Sequence, residues 1–188
     1  MVSQISRFDP WKDPVGVVKA YKIAKKKIPN LQMAYAGLFL SHDDPEAIRI
    51  FQKVEQESKD DPDVFLFSDP NKLASLKVDI FINACQTASD VILQKSTKEG
   101  FGLTVSEAMW KAKPIIGGNV GGIKLQIENG KNGFLVSTPE EAAEKIVQLI
   151  KDPQLAEDLG KAAQETVRQK FLMPRLLKDY LKFFRELV

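Results

Sequence analysis

Cysteine and histidine are nearly absent: the 188 residues contain one of each, Cys85 and His42. A lone cysteine forms no intrachain disulfide, and one cysteine with one histidine cannot assemble a Cys/His zinc site. A reducing compartment suits such a chain. Excess charge of one sign is missing too. Lys plus Arg total 27 against 25 for Asp plus Glu, a formal +2, so no broad field draws a polyanion and nucleic acid is not an expected partner. No apolar run approaches the roughly 20 residues of a membrane helix, and the first residues are not a basic stretch leading into a long apolar core. The expectation is a cytoplasmic chain without a membrane partner. There is also no Gly-x-Gly-x-x-Gly after the first apolar stretch and no Gly-Lys-Ser/Thr, so neither a dinucleotide fingerprint nor a P-loop is present.

What is present is enough for one core. With 44% hydrophobic and 28% charged residues, the chain can bury an interior and keep a solvated surface. Apolar stretches of strand length run from Val2 to Ser6, Gln32 to Ala36, Val64 to Phe67, Val91 to Gln94, Pro114 to Gly117 and Gly133 to Val136. Helical spacing fills the gaps, from Pro14 to Ile28, Pro45 to Ser58, Lys72 to Ala84, Leu103 to Lys111 and Pro139 to Lys151. Pro139 suits a first helical turn. From Pro153 onward no strand is predicted, and Leu155, Leu159, Leu176, Leu177, Tyr180, Leu181 and Phe184 can line helix faces. Alternation of strand and helix predicts an α/β fold: a single Rossmann-like domain over residues 1–188, its parallel sheet of about six strands flanked by helices, with a helical tail from about residue 153. No repeat or linker divides it.

The segment Lys98-Glu99-Gly100-Phe101-Gly102-Leu103-Thr104-Val105-Ser106-Glu107-Ala108-Met109 carries the most chemistry. It is a glycine-bearing loop entering a helix just after a strand, where open α/β sheets bind ligands and free backbone N–H groups can hold phosphate oxygens. A structural reading competes with it. Thr104-x-x-Glu107 is also the pattern of a capping box, and Glu99 could be a solvated loop acid. Asp61-Pro62-Asp63 has an Asp-x-Asp form found in metal sites, but its proline and its place before a strand favour a turn. His42 is expected in an exposed loop and Cys85 on a helix face.

Several motifs in order then narrow the reading. Glu99, seven residues and Glu107, together with Ser6-Arg7-Phe8-Asp9-Pro10-Trp11-Lys12-Asp13-Pro14, Ala88-Ser89-Asp90-Val91-Ile92-Leu93-Gln94 and Gly117-Gly118-Asn119-Val120-Gly121-Gly122-Ile123, resemble the carboxyl-terminal domain of the retaining glycosyltransferases of family four. The resemblance runs from Val2 to about Phe171. Glu107-Ala108-Met109-Trp110 and the stretch Val120 to Ile127 are most similar to the trehalose-forming branch. The common family pattern puts Pro then Glu after Gly-Gly-Ile, where this chain has Lys124-Leu125, which disfavours glycogen- and sucrose-type members.

The resemblance implies the donor half of a two-domain GT-B enzyme that moves a hexose from a nucleotide sugar (UDP-, ADP- or GDP-glucose) to a sugar acceptor. Arg7 and Lys12 would hold the donor diphosphate and Glu99 a hydroxyl of the transferred sugar. Glu107 would accept from the ribose hydroxyls, and Phe101, Gly102, Leu103 and Thr104 would offer main-chain contacts. No metal or other cofactor is expected, and neither glutamate is a nucleophile in this picture. The acceptor would bind mainly on an amino-terminal domain, so the chain reads as an excised domain or a natural fragment. The alternatives are a nucleotide-sugar-binding module without catalysis and a domain of a glycogen- or sucrose-type glycosyltransferase.

Overall fold

The computed structural model describes residues 1–37, 44–73 and 75–187; His42 lies outside them. Six short strands, β1 (Val2–Ile5), β2 (Met33–Ala36), β3 (Val64–Phe67), β4 (Val91–Gln94), β5 (Ile115–Gly118) and β6 (Phe134–Val136), form one parallel sheet in the order β3-β2-β1-β4-β5-β6. Each lies within a residue or so of its predicted span. The chain builds outward from β1 to β3, then crosses back to place β4 on the other side of β1, with Val2, Ser3 and Gln4 registered against Val91, Ile92 and Leu93. Connections leave β1 and β4 in opposite directions, and this switch point opens a crevice at the carboxyl ends of the two strands.

The helices are α1 (Pro14–Lys25), α2 (Pro45–Ser58), α3 (Val78–Ala88), α4 (Leu103–Trp110), α5 (Ile123–Gln126), α6 (Pro139–Lys151), α7 (Pro153–Lys170) and α8 (Met173–Glu186). Because successive strand residues face opposite ways, Leu93 and Ile116 enter one core with Val18, Tyr21, Met33 and Ile146, while Ile92 and Ile115 enter another with Val105, Met109, Ile123 and Val167. Helices α1 and α6 thus cover one part of the sheet, and α4, α5 and α7 the other.

Two predicted helix spans shift, and one short helix is new. α1 stops at Lys25, short of Ile28, because Ile28 precedes Pro29 and is disfavoured in helical geometry. The helix expected from Lys72 begins only at Val78. Asp69 accepts from Asn71 N at 2.9 Å and winds Pro70–Leu73 into a 3-10 turn first. The four-residue α5 was not predicted, being too short for periodicity to reveal. In the tail, Leu159 is buried and Leu155 half-buried, whereas Leu176, Leu177, Tyr180, Leu181 and Phe184 share an exposed face of α8. Cys85 sits half-buried on α3 beside Ala34, Phe65 and Phe67, as a packing residue, and burial pushes its thiol pKa up. Among the described residues no helix is long and apolar enough to cross a membrane.

Candidate functional site

Two loops meet at the crevice: residues 6–13 after β1 and 95–102 after β4. The polar residues inside otherwise apolar strands fix the first. Gln4, fully buried at the end of β1, donates to Lys12 O at 2.8 Å and accepts from Lys95 N at 3.0 Å. Tyr35 on β2 joins Ser6 Oγ at 2.7 Å and donates to Arg7 O at 3.4 Å. Burial raises the Tyr35 hydroxyl pKa, so it remains a neutral donor. Its ring stacks on Phe8, centroids 4.8 Å apart. The backbone carrying the basic pair is therefore held from below by a satisfied buried network.

Further contacts stitch the loops together. Thr97 N donates to Trp11 O at 2.7 Å, Thr104 Oγ1 donates to Ile5 O at 3.3 Å, and the buried ammonium of Lys95 pairs with Asp13. Asp13 also caps α1, accepting from Gly16 N at 3.1 Å. Behind the second loop, Gly118 and Gly122 allow backbone to lie on backbone. A Cβ at Gly118 would stand 2.0 Å from Ser96 O, and one at Gly122 2.1 Å from Gly100 O. Gly122 N donates to Glu99 O at 3.0 Å.

The predicted site residues converge in part. Lys12 Nζ and Glu99 form an ion pair, with Ser96 Oγ donating to the same carboxylate oxygen at 3.3 Å. Arg7 lines the same cavity, about 300 Å³ between Ser6, Lys12, Gly37, Ile82 and Thr104. Its guanidinium is mostly exposed and stands 2.7 Å from the buried Asp9 carboxylate without the alignment of a hydrogen bond. Phe101 turns its ring onto Phe171 at 5.6 Å, and Leu103 is exposed, so backbone rather than side chain is what this turn offers. A larger cavity of about 410 Å³ opens at the opposite end of the strands near Asp90, Pro114 and Leu149, and none of the candidate donor-site residues lines it.

The capping alternative at Thr104 and Glu107 is not what forms. α4 is entered through Gly102 without a side-chain cap; Thr104 reaches Ile5, and Glu107 accepts from the buried Gln86 amide at 2.9 Å. Likewise Asp61 and Asp63 both hold Lys25, Asp63 at 2.8 Å. Among the described residues no cluster of three or more His, Cys, Asp and Glu side chains is placed to hold a metal. Sequence reasoning passed over Gln4, Tyr35, Gln86, Lys95 and Gln126. A polar group inside an apolar strand was the available signal for Gln4 and Tyr35; for the others it was absent.

Comparison with known proteins agrees with this geometry. The family model described as "Glycosyl transferases group 1" matches residues 1–166. A trehalose synthase of Rubrobacter xylanophilus is 44% identical over 98% of this chain and 43% of its own length. One from Pyrococcus horikoshii is 44% identical over 100% of this chain and 44% of its own. The chain thus spans less than half the length of these relatives. In fold it matches an Anabaena protein solved in complex with UDP and glucose, at TM-score 0.79 and 22% identity, over 98% of this chain and 47% of that one. Motif order, switch-point site and family match converge on one assignment: the chain belongs to the group 1 glycosyltransferases and adopts the fold of one half of a GT-B enzyme.

Proposed function

We propose that the chain is the donor-binding half of a retaining hexosyltransferase that works in the cytoplasm. It would hold NDP-glucose for transfer to a sugar acceptor, with glucose as acceptor and trehalose as product. The observation that carries this reading is the convergence of Arg7, Lys12 and Thr104 at the start of α4 on one cavity at the β1/β4 switch point, with Glu99 paired to Lys12. The family relationship and the trehalose synthase relatives support the choice of sugar chemistry.

In this reading the arginine fork and the lysine charge meet the diphosphate. The first N–H groups of α4, which have no partner within a helix, add donors to its oxygens. Charge that develops on the leaving phosphate is stabilised by groups already in place, an effect worth several kcal/mol of barrier. Glu99, held by Lys12 and Ser96, is a poor nucleophile but a good acceptor for a sugar hydroxyl. Reaction on one face of the sugar without a glycosyl-enzyme fits that arrangement. Glu107, presented by Gln86, takes the ribose hydroxyls. The acceptor is left to the portion of the longer relatives that this chain does not span.

Calorimetric titration of the chain with UDP-, ADP- and GDP-glucose and their free diphosphates tests the proposal, alongside an assay for trehalose. Weak binding of at least one nucleotide without turnover is expected. Failure to bind any of them overturns the donor site, and robust trehalose formation by the purified chain overturns its role as a half.

A further inference from the structure

Gln126 is 1% exposed, yet every polar atom of its side chain is engaged with the proposed donor loop. Its amide nitrogen donates to Phe101 O and lies 3.4 Å from Gly102 O, while its amide oxygen accepts from Ser106 Oγ on α4 at 2.7 Å. Its own carbonyl accepts from the buried Asn132 at 3.0 Å, and Asn132 in turn donates to Thr166 on α7 at 3.0 Å. The side chain is thus fixed at both ends, and the direction of its amide is set by the hydroxyl on one side and the carbonyls on the other.

The consequence follows from peptide geometry. In a trans peptide the C=O and the N–H of the next residue point in opposite directions. Holding the Phe101 carbonyl toward α5 turns the Gly102 N–H away from it, while the Gly102 carbonyl also accepts from Val105 N at 2.9 Å, so the first turn of α4 fixes the Leu103 N–H. Without the Gln126 amide, the peptide between Phe101 and Gly102 has no fixed plane, because Gly102 is left-handed in φ and tolerates several orientations.

Resting on the donor-site reading above, we infer that Gln126 is a positioning residue for nucleotide-sugar binding: it aims the Gly102 N–H, beside the Leu103 N–H that α4 itself orients, at the donor's diphosphate. The ligand chemistry is a diphosphate ester, recognised by oriented backbone donors rather than by side chains of the loop. It also gives a role to the segment after Gly121-Gly122-Ile123, where this chain departs from the common family pattern.

The test uses Gln126→Met, which keeps length and burial but removes the donors, and Ser106→Ala, which only releases the amide oxygen. Each is titrated with a nucleoside diphosphate and with the matching uncharged nucleoside. Gln126→Met is expected to lose about tenfold or more in diphosphate affinity with nucleoside affinity unchanged, and Ser106→Ala a smaller part of that loss. Equal loss for both ligands, or binding like the parent, overturns the role. If Gln126→Met does not fold, amide resonances of the parent decide: Gly102 and Leu103 must shift on addition of diphosphate, and unmoved signals overturn the inference. A parent that binds no diphosphate overturns the site reading and this role together, whereas a parent that binds while Gln126→Met matches it overturns the role alone.

Discussion

Lys12 and Glu99 lie 87 positions apart in the chain and meet as an ion pair at the crevice, their side chains only 17% and 12% exposed. The two groups assigned to diphosphate and sugar therefore neutralise one another, and a diphosphate that engages Lys12 competes with Glu99 for it. Glu99→Gln removes the competitor. Its affinity for a free nucleoside diphosphate should rise, by about fivefold if the pair is worth about 1 kcal/mol, while the preference for the sugar-bearing donor falls. Titration with the diphosphate and its glucose ester checks both; equal weakening of the two ligands would contradict the pairing.

Glu107 offers a separation of ligand binding from helix capping. Since it accepts from the buried Gln86 amide and caps nothing, Glu107→Ala should weaken nucleoside diphosphate binding while also costing about 1 to 3 kcal/mol of stability, the penalty of leaving that amide without its acceptor. A lost cap would cost about 1 kcal/mol and leave binding intact. Calorimetry distinguishes the two, with denaturant unfolding of the same variant giving the stability change.

A pH dependence is expected away from the site. Burial pushes the Asp61 carboxyl up, but hydrogen bonds from Lys25 and from Asp63 N, the latter at 3.0 Å, outweigh it and hold its pKa below the usual carboxylate value. A carboxylate depressed in the folded state contributes stability that is complete above its unfolded pKa of about 3.9 and is lost as pH falls through the folded value. Denaturant midpoints at pH 6 and pH 3 should therefore fall further for the parent than for Asp61→Asn. Parallel losses would contradict the assignment.

Two identical patterns show how far the sequence could be read. Thr138-x-x-Glu141 and Thr104-x-x-Glu107 both spell a capping box. The first forms one, Thr138 Oγ1 accepting from Glu141 N at 3.2 Å behind Pro139. The second does not, because Gly102 enters α4 and both side chains find partners on other elements. Local spacing cannot tell these apart, since the difference is made by Ile5 and Gln86, distant in sequence. The strands were legible because each is a short apolar run, and β1, β2, β4 and β5 are buried on both faces. The strand order, the meeting of Lys12 with Glu99 and the contact of Gln126 with Phe101 O were not, being set by how distant elements pack. Arg7 and Lys12 were recognised through motif order, but their support from Gln4 and Tyr35 became visible only with the sheet assembled.

Whether Arg7 and Lys12 hold the diphosphate of a nucleotide sugar is decided by titrating Arg7→Ala and Lys12→Ala with a nucleoside diphosphate and the uncharged nucleoside at two ionic strengths. A charge-assisted contact to phosphate is worth roughly 1.5 to 3 kcal/mol, so each variant should lose about tenfold or more in diphosphate affinity, less at high salt, with nucleoside affinity hardly changed. If both variants bind the diphosphate as the parent does, the basic pair is not a phosphate clamp and the donor-site account is wrong.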